Sequence, residues 1–322
     1  MTSTIPDAGG TTATAPDTDG PADTIELPRP TPYDLVRTLA PLRHGLGDPT
    51  IQLERGRVRR ATRTPDGPAT IEAVDAGERL LVRAWGSGSG WAVDRAADLL
   101  GLTDDPSALD AMRPRHRLVV DLSRRYAGLR IARTNRVVEA LVPAVLEQKI
   151  TGEEARRIYR ALVRSHGEPA PGPFGLWLQP APGRLATLPY HAYHPLGLER
   201  RRAETLRRIG ALADRLEAAT GMPMEAAHAR LGAIVGVGPW TVNEVARDAL
   251  GDPDAVSVGD YHLPGLVAFA LAGESRADDA RMLELLEPYR GQRGRVVRLL
   301  ETSGLALPRR GPRMPSRSIA RI

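Results

Sequence analysis

The sequence predicts an α+β protein with a small antiparallel sheet near its amino terminus and a mainly α-helical region after it. Two observations predict this arrangement. Between residues 51 and 84, short and partly alternating apolar runs are separated by Arg-Gly, Pro-Asp-Gly and Ala-Gly turns, a pattern typical of antiparallel strands. From about residue 110 to residue 302, apolar residues recur at spacings of three and four, which is the helical period.

The predicted elements follow from these periods and from the turn residues between them. A glycine-rich segment at 86–90 lacks the spacing of a phosphate loop, so we interpret it as a strand-to-helix turn, with anion binding as the alternative. We predict strands at 51–53, 58–62, 70–74 and 79–84, and helices at 33–42, 91–100, 136–148, 152–166, 200–219, 224–234, 239–250, 263–272, 277–286 and 292–300.

The chain of 322 residues is long enough for two domains, each with its own hydrophobic core. We predict a disordered acidic tail at 1–29 and an antiparallel sheet domain with flanking helices at 30–108. A helical domain is expected at 109–305 and a basic tail at 306–322.

The charge pattern favours a polyanionic partner. The formal net charge is +5, but the first 28 residues carry five acidic and no basic side chains, so the rest of the chain carries +10. A pI near 9.9 makes nucleic acid the first candidate partner. The sequence has no cysteine, which excludes disulfides, thiolate zinc sites and cysteine-ligated clusters. Without a membrane-length apolar run or a secretory signal pattern, a cytoplasmic location is expected.

The most informative segment is residues 231–265, LGAIVGVGPWTVNEVARDALGDPDAVSVGDYHLPG. It predicts a helix, a tight turn at Val235-Gly236-Val237-Gly238, and a second helix with Pro239 at its first position. Glycines let the backbone turn sharply and approach another surface, so the turn amides can hold a phosphate without reading base sequence. The alternative is an ordinary helical hairpin.

Asp260 follows Gly238 by 22 residues and stands just before another predicted helix. On its own it fits a helix cap. The combination of LxxxxGxGxxT with an aspartate at this distance resembles the helix-hairpin-helix DNA glycosylase superfamily. Within it, Gly236-Val237-Gly238-Pro239-Trp240-Thr241 and Asp260-Tyr261 resemble the 3-methyladenine DNA glycosylase II branch, which repairs alkylated DNA. The resemblance covers roughly residues 30–302, with weaker matches at 141–151 and 197–203.

The resemblance implies a sheet domain followed by a helix-hairpin-helix glycosylase domain, acting as a monomer on duplex DNA with damaged bases. It implies no organic cofactor and no catalytic metal, and leaves open a monovalent cation on the hairpin carbonyls. His191 and His194 lack a third ligand and are not expected to bind metal. The implied roles are Asp260 as the catalytic carboxylate; Val235, Gly236, Val237, Gly238, Pro239 and Thr241 in backbone binding; and Gln148, Lys149, Trp240, Glu244 and Tyr261 in the base pocket or as a wedge.

The chemistry expected from the resemblance is hydrolysis of an N-glycosyl bond in base excision repair. A purine alkylated at N3 or N7 is already cationic and leaves without a general acid, so one carboxylate can stabilise the deoxyribose cation and orient water. Lyases of the superfamily have a lysine where this chain has Trp240, and Lys149 is its single lysine. We therefore predict a monofunctional glycosylase that flips and excises alkylated purines of the 3-methyladenine type.

Two features of the sequence bear on which damaged base is the substrate. Aromatic residues make up 4% of the chain, and Glu244 stands where the alkylation-repair branch has an aromatic residue. The alternatives are a glycosylase of the same fold for 8-oxoguanine or uracil, a non-catalytic DNA-binding relative, and a helical RNA- or protein-binding module. An acidic Asp260 beside phosphate argues against pure backbone binding.

Overall fold

A computed structural model describes residues 20–113 and 115–305, and within them the predicted fold class is confirmed. A five-stranded antiparallel sheet comes first and helices follow. The predicted basic tail at 306–322 and residues 1–19 of the predicted acidic tail lie outside the described residues. No helix within 20–113 and 115–305 is both long and apolar enough to cross a membrane.

The elements of the sheet region are β1 Asp23–Pro28, α1 Leu35–Leu39 with a 3-10 turn Ala40–Leu42, β2 Ile51–Glu54, β3 Arg57–Thr64, β4 Gly67–Asp75, β5 Arg79–Trp85, α2 Ser89–Asp94 and α3 Ala96–Leu99. Strands β2 to β5 form an antiparallel meander, and β1 adds to its edge beside β5, which gives the order β1-β5-β4-β3-β2. The inner face of the sheet packs on the short helices around it, and Ile71, Leu80 and Val82 are among the buried residues of that core.

Strand β1 corrects the prediction that residues 1–29 form a disordered tail. All six residues 23–28 pair with β5, from Asp23 opposite Ala84 to Pro28 opposite Arg79. Ile25 and Leu27 pack against the sheet core, whereas the residues between them face solvent. The alternation was present in the sequence but was only two apolar residues long, and the acidic composition around it hid the signal.

The glycine-rich segment is a strand-to-helix turn, as predicted. Gly86 has φ +97°, and a side chain there would collide with the Pro68 carbonyl and with Pro171. Ser89, the first residue of α2, donates its hydroxyl to Asp23. The glycines therefore allow close packing of the backbone.

The remaining elements are mostly the predicted helices. The long helix predicted at 200–219 is interrupted at Leu212, and residues 182–187 form a helix that was not predicted. The bounds are α4 Ser107–Ala111, α5 Arg117–Arg125, α6 Val137–Glu147, α7 Gly152–His166, β6 Glu168–Pro169, β7 Trp177–Leu178, α8 Pro182–Thr187, α9 Tyr190–Tyr193, α10 Arg200–Ala211, α11 Ala213–Glu217, α12 Met224–Gly232, α13 Pro239–Val245 with a π-helical turn Ala246–Leu250, α14 Leu263–Ala272, α15 Asp279–Leu286 and α16 Arg293–Thr302.

The helices form two separate cores. The larger core contains residues between 137 and 255 and includes Leu141, Ile158, Leu206 and Val245. The smaller core combines residues 109–129 with residues 256–300. The loop between the π-helical turn and α14 passes from one core to the other, and Asp260 lies on that loop.

Candidate active site

The hairpin predicted at residues 231–250 is present. Helix α12 ends at Gly232, the chain turns, and α13 begins at Pro239. Gly236 has φ +98°, and a side chain at this position would collide with Thr205 on α10. Only glycine therefore allows the turn to approach α10 so closely.

The turn divides its residues between solvent and core. Val235 is 70% exposed, Gly238 and Pro239 are exposed, and a Cβ on Gly238 would meet no atom within 4 Å. Val237 and Thr241 are buried. Of the residues predicted to bind the DNA backbone, the exposed ones offer their main chain to a partner, while Val237 and Thr241 anchor the turn.

Gln148 fastens the hairpin to the end of α6. Its Nε2 donates to the Gly236 carbonyl at 3.0 Å and to Thr241 Oγ1 at 2.9 Å. The predicted wedge residue is thus turned into the hairpin. Its role in this structure is to support the turn.

Lys149 and Tyr261 project outward near the hairpin and Asp260. Lys149 is exposed and has φ +59°, a left-handed conformation that is uncommon for a residue with a side chain. Tyr261 is 91% exposed and contacts only the edge of the His262 ring among aromatic partners, at 4.9 Å between centroids. Both side chains stand at the surface around the site.

Asp260 uses its two carboxylate oxygens differently. Oδ1 accepts the backbone amides of His262 at 2.7 Å and Leu263 at 2.8 Å, which fastens the start of α14. Oδ2 accepts the indole Nε1–H of Trp240 at 3.2 Å. Trp240 packs on the larger helical core and Leu263 belongs to the smaller one, so Asp260 joins the two cores. Asp260 thus holds the start of α14 as a helix cap does, and its catalytic role stays a prediction.

A polar cleft lies on the side of α13 that carries Glu244. Glu147 at the end of α6 and Asp248 in the π-helical turn also line it, together with His44 from the loop before β2. The His44 Nδ1 is 3.8 Å from Glu147 Oε1, and the ring meets Tyr159 edge-on at 4.9 Å. The free space at its centre is about 40 Å³, which is room for a few water molecules.

Glu244 is held in place by two partners. One oxygen accepts the Ser257 hydroxyl, and the other is 2.7 Å from Arg247 Nη2. Arg247 also approaches Asp248 at 3.7 Å and Glu301 at 3.6 Å. Glu244 is therefore neither an isolated surface residue nor an unpaired charge.

Burial and neighbouring charges shift the protonation equilibria in the cleft. Burial raises the pKa of Glu244 above its ordinary value, and Asp248 adds to this effect, whereas Arg247 and Ser257 oppose it. For His44, burial lowers the pKa, but Glu147 and Asp48 outweigh burial and the pKa is raised. The carboxylates around His44 therefore favour its protonated form.

The sequence analysis named Glu244 as a site residue, but it did not identify the other residues of the cleft and its surroundings, which are His44, Glu147, Arg247 and Asp248. The signal for the last two was present, because Glu244, Arg247 and Asp248 are three and four residues apart and share one helix face. His44 gave no signal, since it lies on a loop about 200 residues from α13 in the chain and only folding brings the two together.

Cation binding at the hairpin remains a prediction. The Gly236 carbonyl accepts from Gln148, and the Val235 carbonyl is 3.4 Å from Arg208 Nη1. Each of these two oxygens therefore already accepts one hydrogen bond. Among residues 20–113 and 115–305, no group of three or more His, Cys, Asp or Glu side chains is arranged to hold a metal ion.

Comparison with known structures identifies the fold. No protein-family model matches the chain. A 3-methyladenine DNA glycosylase from Archaeoglobus fulgidus superposes with a TM-score of 0.69 and 20% identity, over 86% of this chain and 97% of that one. An 8-oxoguanine glycosylase/lyase from Clostridium acetobutylicum, solved with double-stranded DNA, gives a TM-score of 0.67 and 12% identity, over 89% and 98%. The chain therefore shares the fold of these two DNA glycosylases.

Sequence similarity adds a closer relationship. A probable bifunctional transcriptional activator/DNA repair enzyme AlkA from Mycobacterium tuberculosis is 32% identical over 223 residues. The match covers 66% of this chain and 44% of the relative, so the chain spans less than half of the length of that protein.

Proposed function

We propose that this protein is a monofunctional DNA N-glycosylase that removes alkylated purines from duplex DNA in base excision repair. The observation that carries the proposal is Asp260, whose Oδ1 is engaged by two amides while Oδ2 has only the Trp240 indole as a partner. Such a carboxylate is rigid and partly exposed beside the hairpin, which is what a catalytic carboxylate in this fold requires.

The carboxylate acts on the sugar. As the bond between C1′ and the base nitrogen lengthens, positive charge develops on the deoxyribose, and Asp260 stabilises it. A water molecule adds to C1′ and loses a proton, with Asp260 as the acceptor in reach. The base leaves with the electron pair of the broken bond, and the abasic strand remains intact.

The hairpin anchors the DNA backbone in this proposal. The exposed residues Val235, Gly238 and Pro239 leave room for a phosphate close to the turn, because Gly238 has no side chain to hold the phosphate away. Gln148 keeps the turn rigid. Tight phosphate contacts offset the cost of taking a nucleotide out of the stack, a few kcal/mol.

The acidic cleft supports a cationic base as substrate. Glu147 and Glu244 line it, and no phenylalanine or tryptophan side chain does. A purine methylated at N3 or N7 carries a positive charge, so carboxylates attract it where an aromatic pocket would stack on it. We propose Glu244 as a base-pocket residue on this ground, and Trp240 as another because its indole donates to Asp260 Oδ2.

The experiment is release of free bases from methylated duplex DNA, resolved by chromatography, with wild type and Asp260→Asn. Release of 3-methyladenine or 7-methylguanine by wild type alone supports the reaction and the role of Asp260. Full release by Asp260→Asn refutes that role. No release by wild type, with duplex binding intact, contradicts alkylpurine excision.

A second candidate is excision of 8-oxoguanine or uracil by the same site. It is favoured by the polar lining of the cleft, because hydrogen-bonding side chains can recognise the donors and acceptors at the edge of a neutral base. A panel of duplexes carrying each lesion separates the two candidates, since an enzyme for neutral bases releases nothing from methylated DNA.

A further inference from the structure

The loop that carries Asp260 has a glycine immediately before this residue. Gly259 has φ +91°, in the left-handed region, and glycine has more backbone freedom than any other residue. The earlier part of the loop is fixed on one side, because the buried Ser257 donates its hydroxyl to Glu244 on α13. The direction in which the chain continues to Asp260 therefore depends on what holds the peptide units around Gly259.

Helix α15 supplies one of these contacts. The Gly259 amide donates to Asp279 Oδ2 at 3.0 Å, and Asp279 is the first residue of α15. The Asp260 amide donates to the Ser257 carbonyl at 3.2 Å within the loop. Gly259 joins two peptide units, and each is thus held by one hydrogen bond. Only the bond to Asp279 comes from outside the loop.

The carboxylate of Asp279 is not used to cap its own helix. Asp278 is the N-cap of α15 and accepts the Arg281 amide at 2.9 Å. Asp279 Oδ2 is directed to the loop, and its Oδ1 is buried with no hydrogen-bond donor among residues 20–113 and 115–305. A buried oxygen without a donor lowers stability. The stability of α15 therefore does not explain an aspartate at this position.

Helix α15 is a firm support for the contact. Met282 and Leu286 on this helix are buried in the smaller helical core. Arg281 Nη2 lies 2.6 Å from Glu274 Oε1, which joins α15 to the segment that follows α14. The acceptor of the Gly259 amide is therefore fixed by packing and by an ion pair that do not involve the loop.

We propose that Asp279 is a positioning residue for base excision. By holding the Gly259 amide, it sets the place from which the Asp260 carboxylate meets the deoxyribose, and it acts only through Asp260. This inference rests on the proposed function. A displacement of about 1 Å in a reacting group can lower a rate by roughly 10². Asp260 keeps its own contacts with α14 and Trp240, so loss of the Asp279 contact is expected to have a smaller effect, about tenfold.

The test is single-turnover base release from methylated duplex DNA at saturating enzyme, with the dissociation constant of the duplex measured in parallel. Asp279→Ala removes the acceptor and should lower the rate constant about tenfold, while the dissociation constant stays within about twofold of wild type. Asp279→Asn keeps an oxygen that accepts the Gly259 amide and should restore the rate constant. At saturating enzyme the rate constant does not depend on the fraction of folded protein, so a purely structural defect leaves it unchanged.

The matched control is Glu274→Ala, which removes the ion pair of α15 and leaves the Gly259 contact in place. It should release bases at the wild-type rate, and all assays are run below the thermal unfolding of the least stable variant. The inference is wrong if Asp279→Ala keeps the wild-type rate constant, if Asp279→Asn is as slow as Asp279→Ala, or if Glu274→Ala is equally slow.

The same assay separates failure of the inference from failure of the proposed function. If wild type releases bases, Asp260→Asn does not, and Asp279→Ala equals wild type, only the inference fails. If wild type releases no base, or Asp260→Asn releases bases at the full rate, the proposed function fails and the inference fails with it.

Discussion

Asp260 serves both as a fastener of α14 and as the proposed catalytic group, and two substitutions separate these roles. Asp260→Asn keeps an oxygen that accepts the amides of His262 and Leu263, but it presents an amide where Trp240 Nε1–H now has an acceptor. Asp260→Ala removes both sets of contacts. The two variants should therefore lose activity equally and stability unequally.

The magnitudes follow from the contacts. Loss of the indole hydrogen bond in Asp260→Asn should lower the free energy of unfolding by about 1 kcal/mol. Loss of the amide contacts in Asp260→Ala should remove about 1 kcal/mol more, the usual cost of deleting a helix cap. Removing a charge aimed at the developing cation should reduce the rate of base release by roughly 10²–10³ in both variants.

Urea unfolding and single-turnover base release from methylated duplex DNA measure the two effects separately. Asp34 provides the control, because it caps α1 in the sheet region by accepting the Arg37 amide at 2.9 Å. Asp34→Ala should lose stability as a cap does and release bases at the wild-type rate. The reasoning is refuted if Asp260→Asn is as unstable as Asp260→Ala, or if either Asp260 variant keeps full activity.

Three further outcomes are expected. Gln148→Leu removes both hydrogen bonds to the hairpin. It should weaken duplex binding at least tenfold and lower the free energy of unfolding by about 2 kcal/mol. The control Gln52→Leu removes a side-chain hydrogen bond to the Phe174 carbonyl in the sheet region and should leave duplex binding unchanged. Borohydride should trap no protein–DNA adduct during base release; an adduct that persists in wild type and disappears in Lys149→Arg would overturn the monofunctional assignment, because Gln148 brings its neighbour Lys149 near the hairpin. The raised pKa of Glu244 means that the folded state holds a proton there more tightly than the unfolded chain does, so stability falls as pH rises above about 4.5 through the raised pKa. Glu244→Gln should lack this part of the pH dependence in unfolding experiments, and an unchanged profile would contradict the burial argument.

The hairpin and Asp260 could be predicted from the sequence because both depend on local chain geometry. Gly236 must be glycine to turn tightly against Thr205, and the distance from Gly238 to Asp260 is a distance along the chain. Such constraints leave a readable pattern even in one sequence.

The cleft could not be predicted in the same way, because it is made by chain segments that meet only after folding. His44 reaches Glu147 across the boundary between the sheet region and the helices. The sequence likewise placed Gln148 near the site without showing that its amide turns into the hairpin. Side-chain orientation at a helix end depends on which neighbours pack there, and that information lies outside the local pattern.

The smaller helical core has a consequence for synthesis of the chain on the ribosome. Leu122 and Tyr126 belong to it, but their partners Val267, Met282 and Val296 are translated much later. At 5–20 residues per second, the roughly 140 residues between Tyr126 and Val267 leave these apolar side chains uncovered for about 7–28 s. A nascent chain halted before α14 would keep them exposed, so early termination should yield a product prone to association and rapid proteolysis. The last helices thus cover an apolar surface that the first half of the chain exposes.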